Sequence, residues 1–174
     1  DQIHTIISKF EYANEKTEHL VFYDSGGSQI AHSEGNAGSV LRPAGKKIPD
    51  GYGGWGYAKL DTTDLISNHN HPVGTPAFSP EDISITAQNN EFALITTTPD
   101  KGSWAIVRPK GGWSEETKDL ARMRALFNRE VEVFEGTARG KEITEMVKLK
   151  KISPIDGADI IISEAMKKIL SDLG

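Results

Sequence analysis

Ile3, Ile6, Ile7 and Phe10 recur at helical spacing, which predicts a short amphipathic helix over 2–13. His19-Leu20-Val21-Phe22-Tyr23 is a compact β-prone run. Asp24-Ser25-Gly26-Gly27 then supplies turn residues and 28–32 can return, so a hairpin is predicted. From Gly35 to Tyr57 glycine and proline punctuate the chain heavily, and the pattern predicts a strand near Ser39–Arg42 followed by a long surface loop. Leu65-Ile66-Ser67 reads as the end of a strand that delivers Asn68-His69-Asn70-His71-Pro72 to its C-terminal edge. After a loop through Gly74, Pro76 and Phe78, Ser79-Pro80-Glu81-Asp82 is a helix start, with Ser as cap, Pro at the first helical position and acids in the first turn; the helix should reach about Asn89. Residues 92–97 and 103–107 predict two further strands joined by the turn 99–102. The rest reads as helix. Leu120, Met123, Phe127, Val131 and Phe134 follow a Ser114 cap at 3.6-type spacing, and Ala158, Ile161, Ile162, Ala165, Ile169 and Leu173 repeat the pattern near the end. No internal repeat or low-complexity tract interrupts it.

The fold class expected is α/β, a mixed sheet flanked by helices with a C-terminal helical extension. A chain of 174 residues supports one domain with a proper core, divided here into a core over 1–113 and a helical extension over 114–174 packed on the same domain. Mean hydropathy is −0.43, and no apolar run approaches the roughly 18 to 20 residues a bilayer span requires, so no membrane association through a span is expected. A net charge of −5 argues against a surface built to neutralise phosphates, and nucleic acid is not expected as a direct ligand. The chain contains no cysteine, which removes disulfides, thiolate nucleophiles and Cys-based zinc sites; any zinc must be held by His and carboxylate. The first residue is Asp1 with no basic-then-apolar leader after it, as expected of a processed product or a segment of something longer. Cytoplasm is the default location.

Two histidines one residue apart on an extended segment point their side chains the same way and can grip one ion. Catalytic zinc keeps three protein ligands and an open position, so the pair needs a third ligand. Asp82 lies in the first turn of the next helix, where the loop 72–78 can fold it back beside His69 and His71. Zinc so held lowers the pKa of water to about 7, which is hydrolase chemistry.

His69-Asn70-His71-Pro72, the loop 73–78, Ser79 and Asp82 together resemble the His-x-His-Pro and Ser-x-x-Asp motif of the JAMM/MPN-plus zinc metalloproteases. The wording around the motif is closest to the RadC-like branch and to JAMM-type domains of some phage head or tail proteins. The close match covers about 68–83, and a looser pattern of hairpin, Gly-rich loop, motif, helix and two strands runs from about 18 to 113. The resemblance implies a cytidine-deaminase-like fold, zinc on His69, His71 and Asp82, an oxyanion-stabilising role for Ser79, and a peptide or protein substrate. It also implies an upstream glutamate as general base. Glu18, immediately before the strand 19–23, is the choice, with Glu15 and Glu34 as alternatives. A phage origin would make the protein virion-associated.

Each piece has an ordinary reading. Ser79–Asp82 is a sufficient helix cap on its own, and an isolated His-x-His is commonly a surface or hydrogen-bonded pair. Together at this spacing they favour a metal site. His4, His19 and His32 take surface or packing roles, and Trp104 and Trp113 read as core or rim residues. Trp55 and Tyr57, in the Gly-rich loop, are candidates for a substrate-binding rim, and Lys148-Leu149-Lys150-Lys151 is a solvated helix end. The function expected is cleavage of a peptide or isopeptide bond by a metal-activated water. The alternative is a metal-binding, weakly or non-catalytic module of a phage-structural or DNA-processing assembly. A zinc nucleobase deaminase ranks third, since no Pro-Cys-x-x-Cys element is present.

Overall fold

The computed structural model of the chain describes residues 2–49 and 55–173, with the side chains of 46–48 and 55–57 outside the description. Helix α1 (Gln2–Lys9) leads into β1 (His19–Tyr23) and β2 (Gln29–Glu34), then β3 (Ala44–Pro49), β4 (Trp55–Lys59) and β5 (Ile66–Asn70). Helix α2 (Pro80–Gln88), β6 (Ala93–Thr98) and β7 (Gly102–Val107) follow. The chain ends in α3 (Glu115–Lys118), α4 (Leu120–Gly136), α5 (Ala138–Lys148) and α6 (Pro154–Leu173).

Five strands form one mixed sheet in the order β2-β1-β5-β6-β7, and β3 and β4 pair separately. The β5–β6 pair is parallel and all other neighbours are antiparallel. Parallel neighbours require a crossover, and α2 supplies it. This places the end of β5 and the start of α2 at one edge of the sheet, with the loop 71–79 between them.

The sheet is covered on both faces. On one side Ile6 and Phe10 pack against Val21, Tyr23, Ile66, Ala93 and Ile95. On the other, Phe78, Ile83 and Leu94 meet Met123 of α4 and Met166 and Ile169 of α6. Double coverage explains why every residue of β1, β5 and β6 is buried, while the edge strands β2 and β7 alternate toward solvent. Burial of side chains of this size stabilises by about 1.5–3 kcal/mol each.

Several boundaries differ from the sequence pattern. Helix α1 stops at Lys9, and 11–14 turn. No strand forms over Ser39–Arg42; only an isolated bridge joins Asn36 to Ser39, and pairing begins at Ala44. Pro43 cannot donate to a ladder, and the Arg42 side chain is drawn to Glu91 across the domain. The expected loop over the following residues contains the β3–β4 ribbon, while Gly51–Gly54 lie outside the described residues. Ser114 caps only the single turn α3, accepting from the Thr117 amide; the long helix α4 is capped by Asp119, whose carboxylate takes the Ala121 and Arg122 amides. The Lys148 cluster does fall at a helix end, with Leu149 as the C-cap of α5. No helix among the described residues is long and apolar enough to cross a membrane.

Candidate metal centre

Strand β5 reads Ile-Ser-Asn-His-Asn, four polar residues in five, yet all five are buried. Alternation divides them between the faces. Ser67 and His69 line a cleft of about 930 Å³ together with His71, Asp82 and Glu18, whereas Asn68 and Asn70 fall on the α1 side.

The cleft brings His69, His71 and Asp82 together, with one ligand atom from each lying within 4.8 Å of the others; no second group of this kind occurs among the described residues. His69 Nε2 is 3.0 Å from His71 Nε2 and 3.7 Å from Asp82 Oδ1. Bonds of about 2.0–2.1 Å to a tetrahedral zinc would set ligand atoms roughly 3.3 Å apart, between these two values. The rings are tilted by 57°, so their edges converge instead of stacking. His71 Nδ1 lies 2.8 Å from the Thr75 carbonyl oxygen, which only accepts, so Nδ1 donates there and Nε2 is the ring nitrogen left beside His69. Gly74 makes this turn possible at φ 91°, a left-handed conformation that suits glycine.

Asp82 divides its carboxylate. Oδ2 accepts from the Ser79 amide at 2.9 Å and from the Ser79 hydroxyl at 2.7 Å, completing a reciprocal capping box in which Ser79 Oγ accepts from the Asp82 amide at 3.1 Å. Oδ1 is left facing His69. Cap and ligand roles thus use different atoms. The Ser79 hydroxyl proton is directed at Asp82.

Charge fits the same arrangement. Burial, with help from His71 and Arg42 and against Asp82, pushes the His69 imidazole down to about 4, so it is neutral near pH 7. For Asp82 burial is the largest influence and opposes ionisation, but His69 and the Ser79 hydrogen bonds outweigh it and hold the carboxyl below its usual range. Two imidazoles and one carboxylate form a donor set suited to zinc.

Of the three candidate glutamates, Glu18 lines the cleft, while Glu15 and Glu34 are exposed and do not. Glu18 is half-buried; that burial raises its pKa, His71 lowers it and Asp82 raises it. Its segment is clamped by Asn70, the residue between the two histidines. Asn70 Oδ1 accepts from the His19 amide at 2.6 Å, and Nδ2 donates to the carbonyls of Thr17 at 2.9 Å and Glu15 at 3.4 Å. The spacer of His-x-His therefore ties the glutamate-bearing segment to the strand that carries the histidines.

Other residues singled out above sit elsewhere. His4 is exposed, and His19 and His32 stack on Tyr12 away from the cleft. Trp113 is buried with Nε1 donating to the Glu91 carbonyl at 2.9 Å, and Trp104 packs edge-on to Phe78. The side chains of Trp55 and Tyr57 lie outside the described residues. Sequence reasoning did not find Arg42 and Glu91, an ion pair at the cleft, because one sits in a Gly/Pro-punctuated stretch and the other in a turn-like Asn-Asn-Glu.

No family model, characterised protein or solved structure matches this chain.

Proposed function

We propose that the chain is a zinc-dependent hydrolase that cleaves a peptide or isopeptide bond, built on a cytidine-deaminase-like, JAMM/MPN-type version of the mixed sheet. The observation that carries this reading is the grouping of His69, His71 and Asp82, with ligand atoms within 4.8 Å of one another, on the cleft that Glu18 also lines. When bound, zinc supplies an acidified water and a Lewis acid.

The protein's own groups then have distinct tasks. Thr75 fixes the His71 tautomer, and Ser79 orients Asp82. Glu18, its basicity raised by partial burial, takes the proton of the attacking water as the water oxygen bonds to the carbonyl carbon. The C–N bond breaks as Glu18 returns that proton to the leaving nitrogen, so water adds across the bond with no net proton change. Ser79 turns its hydroxyl from Asp82 toward the carbonyl oxygen as negative charge develops there.

A second reading is a metal-binding module without turnover, in a phage-structural or DNA-processing assembly. The engagement of the Ser79 hydroxyl with Asp82 favours it. Both readings are tested by zinc content on untagged protein, paired with a fluorogenic peptide-library assay, for the native chain, His71→Ala and Glu18→Ala. The hydrolase reading expects near-stoichiometric zinc in the native chain and Glu18→Ala, little in His71→Ala, and cleavage by the native chain alone. Zinc without cleavage supports the second reading, and a native chain that takes up no zinc on reconstitution overturns both.

A further inference from the structure

Arg42 ends the segment 38–42 that lines the metal cleft, and its guanidinium is paired with Glu91, whose side chain is 0% exposed. Glu91 is held from every side. Its Oε1 also accepts from Thr62 Oγ1 at 3.1 Å, and its Oε2 accepts from Ser67 Oγ at 2.7 Å and Thr86 Oγ1 at 3.4 Å. Burial pushes the Glu91 pKa up, while Arg42 and the hydroxyls pull it back. The pair is lopsided: the Arg42 side chain is 27% exposed and borders the cleft. Among the described residues, its hydrogen bonds to Glu91 and Thr62 both run through Nη1, one of three nitrogens carrying five donors. The guanidinium also lies over the Phe22 ring, 5.2 Å from the centroid.

Here the carboxylate is sealed behind the cation, and Arg42 lines the cleft together with the apolar side chains Leu20, Val40, Phe78 and Leu94. A cation fixed in place against apolar side chains binds an anion more strongly than a mobile surface lysine does, because little water and little side-chain freedom are lost on contact. Glu18 and Asp82 repel an anion from the other part of the cleft, which would orient a bound carboxylate toward Arg42. Arg42 lines the same cleft as His69, His71 and Asp82.

We propose that Arg42, anchored by Glu91, is a carboxylate-recognition subsite of the metal cleft, so that the molecule processed there presents a carboxylate beside the scissile bond. This rests on the reading that substrate occupies the cleft. The carboxylate belongs either to a free C-terminus or to an acidic side chain, and both offer the planar pair of oxygens that a guanidinium fork matches.

The test uses the full chain freed of metal, so that no ion contributes carboxylate affinity. Acetyl-triglycine is compared with its C-terminal amide, and acetyl-Gly-Glu-Gly amide with its Gln counterpart, by calorimetry and by the shift of the Arg42 Nε–H resonance. The free-acid or the Glu peptide should bind at least tenfold more tightly than its neutral partner, and whichever does names the source. Arg42→Gln should abolish that preference. Because this leaves Glu91 buried and unpaired, the double variant Arg42→Gln/Glu91→Gln keeps the core neutral and should lose the preference while remaining folded by circular dichroism. Equal binding of acid and neutral peptides by the native chain, or a preference that survives in the double variant, overturns the subsite. A preference in metal-free protein without cleavage after zinc loading supports the subsite and counts against the hydrolase. Cleavage indifferent to the carboxylate does the reverse.

Discussion

Two histidine pairs sit in this fold at nearly equal separations, His69 Nε2 3.0 Å from His71 Nε2 and His19 Nδ1 2.9 Å from His32 Nε2. Their geometry and partners differ. His19 and His32 are near-coplanar, at 7°, and stack on Tyr12 with centroids at 4.4 and 4.6 Å. The remaining nitrogen of His19, Nε2, contacts Thr17 Oγ1 at 3.1 Å, so both its ring nitrogens are occupied. His69 and His71 are tilted by 57°, bring their Nε2 atoms together and have an Asp82 carboxylate oxygen 3.7 Å from His69 Nε2. Proximity of two imidazoles is therefore a poor guide to a metal site. Convergent lone pairs, a fixed tautomer and a third donor are what separate the two pairs.

The largest contrast is expected in metal affinity. His71→Ala should weaken zinc binding by more than the roughly 10–100-fold typical of changes to supporting residues, whereas His19→Ala should leave it within about threefold, as read by competition with a chromophoric chelator. Equal losses would erase the distinction. Turnover comes next: Glu18→Gln should lower kcat by about 10²–10⁴-fold with zinc content unchanged, measured on any cleaved peptide.

Acid should also separate the pairs in metal-free protein. With His69 at about 4 when folded and near 6.5 when unfolded, the unfolded chain takes up the extra proton. This contribution to stability is full above pH 6.5 and is lost as pH falls toward 4, with a slope of at most about 1.4 kcal/mol per pH unit. The His32 pKa is also lowered, by burial first and then by His19, with Glu34 opposing, so its effect has the same sign. Urea unfolding across pH should flatten more in His69→Asn than in His32→Asn.

Asn70→Ala removes three hydrogen bonds of about 1 kcal/mol each and should destabilise by roughly 2–3 kcal/mol in urea, with kcat falling further than zinc affinity. Ser79→Ala should cost about 1 kcal/mol of folding stability through the lost cap, the smallest stability effect of the series.

Features written in short stretches were legible beforehand. The β1–β2 hairpin, the Ser79-Pro80 helix start and the placement of His69, His71 and Asp82 within one strand-loop-helix unit all depend on neighbours in sequence. Features set by distant pairing were not. Which glutamate reaches the cleft depends on β1 lying beside β5 and on Asn70 reaching the His19 amide across 51 positions. Arg42 finds Glu91 across 49 positions, and that attraction, with Pro43, replaces the strand expected near Ser39. The cap of α4 was misread because Ser114 and Asp119 are both competent caps, and a one-turn helix fits between them.

The crossover between β5 and β6 separates two events by chain entropy. All three donors fall between positions 69 and 82, so chelation closes only a short loop, and loop-closure entropy grows with the logarithm of loop length. Glu18 joins them through pairing of strands some fifty positions apart. If the chain is the zinc hydrolase proposed, partial loosening of the sheet should thus cost turnover before it costs the ion, leaving a chain that still chelates after it has stopped acting.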